Sequence, residues 1–369
     1  MKYKSIFWVT ADHLKNVGNF KDYLVDNTDY LVAYHFPASF LKTQSYMEIY
    51  SNGEKVYSKR FPAFSSLHPF LKIVQYYMLV YYILIRYVRV GSFALVVIAP
   101  FCFLSGIVSF LKKIEFVLWI GDYIPAKTTS VQFMNKIIDY YSEHLPYVLY
   151  ESPTLAKVYL NKMDETSVSK KYRATVTLGI KKNYTREKKV NKNLRLGFIG
   201  VIREQQGLEL VFDYLQKNMS ENIIFEIVGG GYRLEYYKEL AKKMRIKNKI
   251  IFHGPVEDVS LIFKKWDIAL ALYANKKDNL SVYCEPTKIK DYLSYCIPVI
   301  TTKTTYFHKN IALFGAGEVI SENVKNLSNA IEKIQNNYDK YIKGVNKIVD
   351  KLEYDKWYAD NFKFMEETK

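Results

Sequence analysis

The amino-acid sequence predicts an α/β fold, two Rossmann-like domains facing a cleft. Three observations lead to it. The chain has 369 residues, more than one hydrophobic core comfortably serves, so two domains are the starting expectation. Apolar runs of strand length alternate with helix-length segments in the first half, the pattern of a doubly wound parallel sheet. After a polar stretch the same alternation starts again, with no sequence repeat between the halves.

The first half opens with the strand SIFWVT, followed by a polar loop containing Gly18 and a helix start. YLVAYHFP, FALVVIAP and FVLWIGDYIP are further strand-length runs, each closed by proline, which cannot continue a central ladder. Residues 69–90 read as a tyrosine-rich helix that is apolar nearly all round. Such a helix is buried, or half-buried with one face on a membrane. Helices at 134–141 and 154–160 flank the strand YVLYES. The stretch IKKNYTREKKVNKN is dense in Lys and Arg without apolar period; it reads as a linker, and a solvated loop has the same composition.

The second half runs LRLGFIG as strand, 207–215 as helix, IIFEIVGGG as strand and glycine loop, and 232–244 as helix. KIIFHGPV, a short helix at 259–265 and the strand DIALALYAN follow. Next comes YCEPTKIKDYLSYCIPVITT, a polar loop, a helix from about Lys288, a turn at Tyr295 and Cys296, and a β-branched strand. YDKWYADNFKFMEETK is an amphipathic terminal helix.

Composition narrows the function classes. At 49% hydrophobic and 24% charged residues the chain is globular. A net charge of +16 suits nucleic acid, anionic lipid or an anionic small substrate. The lysines are scattered and no nucleic-acid module is recognisable, so nucleic acid is not an expected partner. Cys102, Cys284 and Cys296 lack metal or disulfide spacing, which fits a reducing, cytoplasmic setting. Residues 1–10 contain no sufficient leader-like apolar stretch. Residues 90–111 carry no charge, and the reading here is a strand to Pro100, a turn and a helix; a bilayer-spanning helix of ~20 residues is the competing reading.

The segment around Lys288 is the chemical centre of the sequence. A helix start gathers unpaired N–H groups and positive partial charge, so a loop feeding one can hold a phosphate. Lys288 adds a cation there, and Asp291 stands a turn further on, where it can accept ribose hydroxyls; a helix merely capped by Thr287 is the plain alternative. Gly229, Gly230 and Gly231 after a strand permit close backbone approach or form only a turn. His253 reads as a base- or phosphate-side residue, or as a satisfied interior histidine. Asp122, at a strand's end in WIGDYIP, reads as a general base or as a turn cap before Pro125. Gly18 and Asn19 follow the first strand, where an acceptor or sugar would be approached, or they make a simple turn.

From Leu194 to about Ala330 the chain resembles the C-terminal, nucleotide-binding domain of GT-B glycosyltransferases, and is most similar to glycosyltransferase family 4, also called group 1. Four segments carry the resemblance in the family's order: FIGVIREQQGLELV, FEIVGGG, IIFHGPV and EPTKIKDYLSYCIPVITT. They stand in register over ~140 residues, a motif-plus-context signal. The first half is similar in architecture only, with FVLWIGDYIP and VTLGI fitting the family's pattern. The resemblance implies an acceptor domain at 1–180, a linker at 181–193, a nucleotide-sugar domain at 194–345, and a terminal helix at 346–369 crossing back to the first domain.

It also implies a hexosyl transfer from a nucleotide-diphosphate sugar, needing no metal and no cofactor beyond the donor. The acceptor is a glycan or lipid-linked, as in surface polysaccharide synthesis, and the basic, aromatic-rich chain fits peripheral docking on the inner face of an anionic membrane. Carried over residue by residue, donor contacts fall on Gly200, Arg203, Gly229, Gly230, His253, Glu285, Pro286, Thr287, Lys288 and Asp291. Acceptor contacts fall on Gly18 and Asn19, and the catalytic candidates are Asp122 and Glu285. The departures are specific. Val201 and Gln206 stand where family members often have Arg and Lys, leaving Arg203 as a substitute. Asp291 replaces the second glutamate of the family's E-x7-E pair, Tyr283 replaces the first, and Glu285 is out of register. Stereochemistry is therefore left open, as are an epimerase of the same fold and an inactive partner subunit.

Overall fold

A computed structural model describes residues 3–37, 44–62, 69–97, 110–123, 125, 128–161, 172–186, 193–274 and 280–366. The chain divides into two compact units, Met1–Leu178 with Tyr354–Lys369, and Gly179–Glu353. Each is an α/β, Rossmann-like domain.

The first unit is built on eight strands, β1 (Ile6–Ala11), β2 (Tyr30–Phe36), β3 (Tyr46–Ser51), β4 (Glu54–Arg60), β5 (Phe93–Val96), β6 (Glu115–Ile120), β7 (Tyr147–Tyr150) and β8 (Tyr172–Thr175). Their order is β4-β3-β2-β1-β5-β6-β7-β8. Six are parallel, as the alternation of strands and helices requires, but β3 and β4 run antiparallel on β2's outer side. The hairpin turns at Asn52 and Gly53, both at positive φ, which is the favoured dipeptide for a two-residue hairpin loop. Because β4 is an edge strand exposed on both faces, its sequence EKVYSKR lacks the apolar run that marks the others.

Helix α1 (Phe20–Asn27) buries Phe20, Tyr23 and Leu24 against this sheet. The Phe20 ring sits 4.9 Å from Trp119 and 4.8 Å from Tyr358 of the terminal segment. Tyr358 and Phe362 are buried in the same cluster, the Tyr358 hydroxyl donates to the Gly18 carbonyl at 2.8 Å, and Trp357 Nε1 donates to the Thr177 carbonyl at 2.7 Å. The helical part of the terminus is shorter than 354–369: an α-helix covers Tyr354–Asn361 and a 3-10 turn Lys363–Met365.

Helix α2 (Pro69–Arg86) lies on the same unit. No helix among the described residues is long and apolar enough to cross a membrane. Residues 98–109 of the charge-free run, with Cys102, fall outside the described residues, as do residues 187–192 of the lysine-rich stretch.

The second unit has six strands, β9 (Leu194–Ile199), β10 (Ile223–Val228), β11 (Ile250–Gly254), β12 (Ile268–Ala271), β13 (Val299–Thr302) and β14 (Gly317–Ile320). All are parallel, in the order β11-β10-β9-β12-β13-β14. β12 and β13 are continuous buried runs of small, aliphatic or β-branched residues and β10 is buried apart from Ile224, as a sheet covered on both faces demands. Gly197 in β9 is obligatory for packing, since a Cβ there would lie 1.9 Å from the buried Trp266 ring. On one face the helix Leu208–Lys217 contributes Leu208, Val211, Phe212 and Leu215 at helical spacing, and Val324–Asn336 contributes Leu327, Ile331 and Ile334. The strand order reverses between β9 and β12. That is the switch point where doubly wound sheets bind ligands, beyond the carboxyl ends of the strands.

Candidate functional site

Three loops meet at this switch point. The loop after β9 runs from Gly200 to Gly207, and the loop after β10 contains Gly229, Gly230 and Gly231. They are stitched together through the backbone: Gly200 N–H donates to the Val228 carbonyl at 3.0 Å and Ile202 N–H to the Gly230 carbonyl at 2.8 Å. A Cβ at Gly229 would stand 2.1 Å from the Gly200 carbonyl oxygen. Gly207 has φ +70, caps the Leu208–Lys217 helix, and faces the Leu272 carbonyl where a Cβ would come within 2.2 Å. Only glycine combines that left-handed backbone with that approach.

The third loop enters the helix Thr287–Ser294. Pro286 is its N-cap, and no side-chain hydrogen bond closes the helix start; Thr287 is the first helical residue, not its cap. Lys288, one residue on, turns its ammonium back over the β9 loop. Nζ donates to the Gln206 Oε1 at 2.7 Å and stands 4.3 Å from the Phe198 ring centroid and 5.0 Å from that of Tyr273. It is also the atom nearest Gly200, 3.0 Å from where a Cβ would be. Among the described residues no carboxylate lies within ion-pair distance of it. Burial and the Arg203 guanidinium together push the Lys288 ammonium down to about 7. The Tyr273 hydroxyl beside it is buried without a hydrogen-bond partner.

Asp291 follows a turn later on the exposed surface of the helix. Desolvation raises its carboxyl, opposed by Lys290 and Lys288, and its solvent contact screens that shift. Tyr292 fixes the whole helix to the sheet. Its hydroxyl accepts from Ile199 N–H at 3.0 Å and donates to the Leu270 carbonyl at 3.3 Å, so one side chain spans the ends of β9 and β12. The turn at Tyr295 and Cys296 ends the helix, with Cys296 at φ +53.

The structure thus brings Gly200, Gly229, Gly230, Arg203, Pro286, Thr287 and Lys288 to one set of loops. Glu285 is differently engaged: it is buried and paired with the equally buried Lys290 at 2.7 Å. His253 also has a partner. Its Nε2 lies 2.7 Å from the buried Glu226 carboxylate, whose other oxygen pairs with Arg195. Glu204 binds Arg233 at 3.1 Å, whereas Arg203 has no ion pair among the described residues. Gln206, Tyr273 and Phe198 form the seat of Lys288 and were not singled out from the sequence as its seat; their positions at strand ends were the available signal. Asp122, Gly18 and Asn19 belong to the first unit. Asp122 is exposed just past β6. Gly18 and Asn19 both take left-handed φ, 58 and 59, in a turn whose carbonyl holds Tyr358. No group of three or more His, Cys, Asp or Glu that could hold a metal occurs among the described residues.

Comparison with known proteins adds a family and a fold. Residues 180–347 match the family described as Glycosyl transferases group 1. No curated protein matches the chain by sequence. Sucrose-phosphate synthase from Thermosynechococcus elongatus superposes with a TM-score of 0.67 at 13% identity, over 98% of this chain and 97% of that one. A glycosyltransferase from Rickettsia africae gives 0.64 at 15% identity, over 100% and 99%. Anabaena Alr3699/HepE in complex with UDP and glucose gives 0.64 at 12% identity, over 98% and 99%. The chain therefore has the two-domain GT-B fold, and its second unit is related to the group 1 glycosyltransferases.

Proposed function

We propose that this chain, a GT-B fold protein with a group 1 glycosyltransferase domain, transfers a hexosyl group from a nucleotide-diphosphate sugar to a glycan or lipid-linked acceptor in surface polysaccharide synthesis. The observation that carries the reading is the Lys288 ammonium, without a carboxylate partner among the described residues, beside the glycine loop of Gly200 and a helix start with no side-chain cap at the sheet's switch point. A diphosphate fits that combination of cation, backbone amides and close backbone approach.

In the reaction the bond from the anomeric carbon to the diphosphate oxygen breaks and a bond to the acceptor hydroxyl oxygen forms. The transition state is oxocarbenium-like, and negative charge grows on the leaving diphosphate. Lys288, Arg203 and the N–H groups at the start of the Thr287–Ser294 helix stabilise that charge. Asp291 accepts the ribose hydroxyls, and His253, held by Glu226, lines the nucleotide side. Asp122 takes the acceptor's proton if configuration inverts, and Gly18 and Asn19 shape the acceptor side. The protein works from the cytoplasmic face of the membrane. A second reading has one observation in its favour: Glu285, the catalytic candidate of the donor loop, is occupied by Lys290, as suits a donor-binding partner subunit without turnover.

The test is a panel of nucleotide-sugars, measured for binding and for sugar transfer, with wild type, Lys288→Ala and Asp291→Ala. Binding lost in both variants, with transfer by wild type, is the expected result. Binding without transfer or hydrolysis selects the inactive subunit; epimerised donor appearing without acceptor selects an epimerase; a folded protein that binds no nucleotide-sugar refutes the reading.

A further inference from the structure

Helix α2 has two apolar faces, and the fold uses only one. Val80, Ile83, Leu84 and the following Val88 are buried. The opposite stripe, Met78, Tyr81, Tyr82 and Ile85, has the i, i+3, i+4, i+7 spacing of a second helix face and is 38–67% exposed. The patch extends past the helix end. Lys112 Nζ donates to the Leu84, Ile85 and Val88 carbonyls at 2.8, 2.6 and 2.8 Å, which ties the segment to the C-terminal turn of α2, and the two residues before Lys112, Phe110 and Leu111, are 87% and 66% exposed. On the other side Tyr57 of edge strand β4 stacks on Tyr87, and Lys59 stands over the Tyr82 ring at 5.4 Å.

A contiguous exposed apolar surface of this kind marks a docking face rather than ordinary exposure. Charge identifies what docks. Tyr57 and Lys59 share one face of β4, and with residues 74–90 and 110–113 they make a patch that contains no Asp or Glu but includes Lys59, Arg86, Arg89 and the Lys112–Lys113 pair; Lys55 lies on the other face, paired with Glu48 at 2.6 Å. Arg86 and Lys113 are exposed at its border. Tyrosines with an apolar body and a polar tip alternate with aliphatic residues across it, the composition of a bilayer interface. The helix is anchored along its buried face, so it lies along a surface and does not cross one.

We infer that the exposed face of α2, with Phe110, Leu111 and the β4 edge, is a monotopic docking surface for a bilayer leaflet rich in anionic lipid. This deepens the reading of a membrane-side enzyme, but its test reads lipid binding alone, so the two fail separately. Each basic residue near an anionic surface contributes ~1 kcal/mol, about fivefold in affinity. Arg86→Gln with Lys113→Gln is therefore expected to weaken binding to phosphatidylglycerol-containing vesicles by roughly 25-fold. Met78→Glu with Ile85→Glu is expected to abolish it.

The experiment is flotation of the full chain with phosphatidylcholine vesicles, with and without phosphatidylglycerol, at low and high salt. Thermal melting and nucleotide-sugar binding verify that the variants are folded; all four substituted side chains are exposed, so both properties are expected to persist. Salt-sensitive flotation with the anionic vesicles only, lost in the Glu pair, supports the inference. Three results overturn it: no flotation with either vesicle, undiminished flotation of the Glu pair, or a dimer by light scattering that the Glu pair dissolves without any lipid binding, which would assign the face to a second copy.

Discussion

Lys288 offers the sharpest test because its environment makes two demands that pull apart. Seated on Phe198 and Tyr273 and beside Arg203, its ammonium is pushed down to about 7, against an ordinary value near 10.5. With no donor bound, the side chain is therefore cationic below about pH 7 and neutral above it. A diphosphate diester keeps its charge throughout this range, so donor affinity in wild type should be flat below pH 7 and fall ~10-fold per unit above it, as protonation must precede the contact. A charge-assisted hydrogen bond contributes ~1.5–3 kcal/mol, so Lys288→Ala should weaken binding roughly 10- to 150-fold at pH 6.5 and abolish the pH dependence.

Isothermal titration of a nucleotide-sugar between pH 6.5 and 8.5, in buffers of different ionisation enthalpy, reads both the affinity and the proton taken up. The same shift has a sign for stability. Unfolded lysine keeps its proton to about pH 10.5, so between about 7 and 10.5 the unfolded chain binds more protons and wild-type stability rises with pH. Below that window the buried cation destabilises the fold, and Lys288→Met should be more stable than wild type by ~1–2 kcal/mol, well under the unscreened value of ~5. Wild-type binding that is independent of pH, or Lys288→Ala binding as tightly as wild type, would refute the assignment of this ammonium to the diphosphate.

Three further outcomes follow from the packing. Gly207→Ala places a Cβ 2.2 Å from the Leu272 carbonyl at a left-handed φ, and should cost ~3 kcal/mol in urea unfolding; a loss below ~0.5 kcal/mol would mean that the turn is not as described. Glu285→Gln removes the carboxylate paired with the buried Lys290 and should cost ~3–5 kcal/mol, while Glu285→Gln with Lys290→Met recovers most of it. If Glu285→Gln melts like wild type but loses sugar transfer, the carboxylate serves the sugar instead. Phe362→Ala empties a site between Phe20 and Trp119 and should cost ~3–5 kcal/mol in the first unit, visible as a lowered melting temperature with donor affinity unchanged.

The fold class was legible because both sheets are mostly covered on two faces, which forces continuous apolar strands and periodic helices. The β3–β4 hairpin escaped because β4 is exposed on both faces and so carries no apolar run; the Asn52-Gly53 dipeptide was its one local signal. The helix entered at Pro286 was readable from a polar loop wedged between apolar strands. What it touches was not. Gln206 meets Lys288 across 82 residues of chain, and the replacement of a family lysine by Gln206 looked like a lost cation when it supplies an acceptor for another one. The partnership of Glu285 with Lys290 was equally hidden, because a loop acid followed by Lys288 and Lys290 in the first turn of the helix says nothing about which of them the interior will pair. The aromatic cluster of Phe20, Trp119, Tyr358 and Phe362 joins segments more than 300 residues apart and leaves no trace in local periodicity.

These pairings explain why positive charge is concentrated at one point of the second unit. Among the described residues, four cations lie on or beside its ligand loops: Arg203, Arg233, Lys288 and Lys290. Glu204 compensates Arg233 and Glu285 compensates Lys290, while Asp291 projects at the helix surface. What remains is Arg203 with Lys288, two cations close enough for one to depress the other, over a helix start with no capping side chain. Two like charges brought together cost free energy unless an anion completes the site. On the proposed reading, the depressed Lys288 ammonium eases that repulsion near neutral pH and a bound diphosphate would restore its charge, so that the strongest electrostatic contact would form only with the phosphate in place.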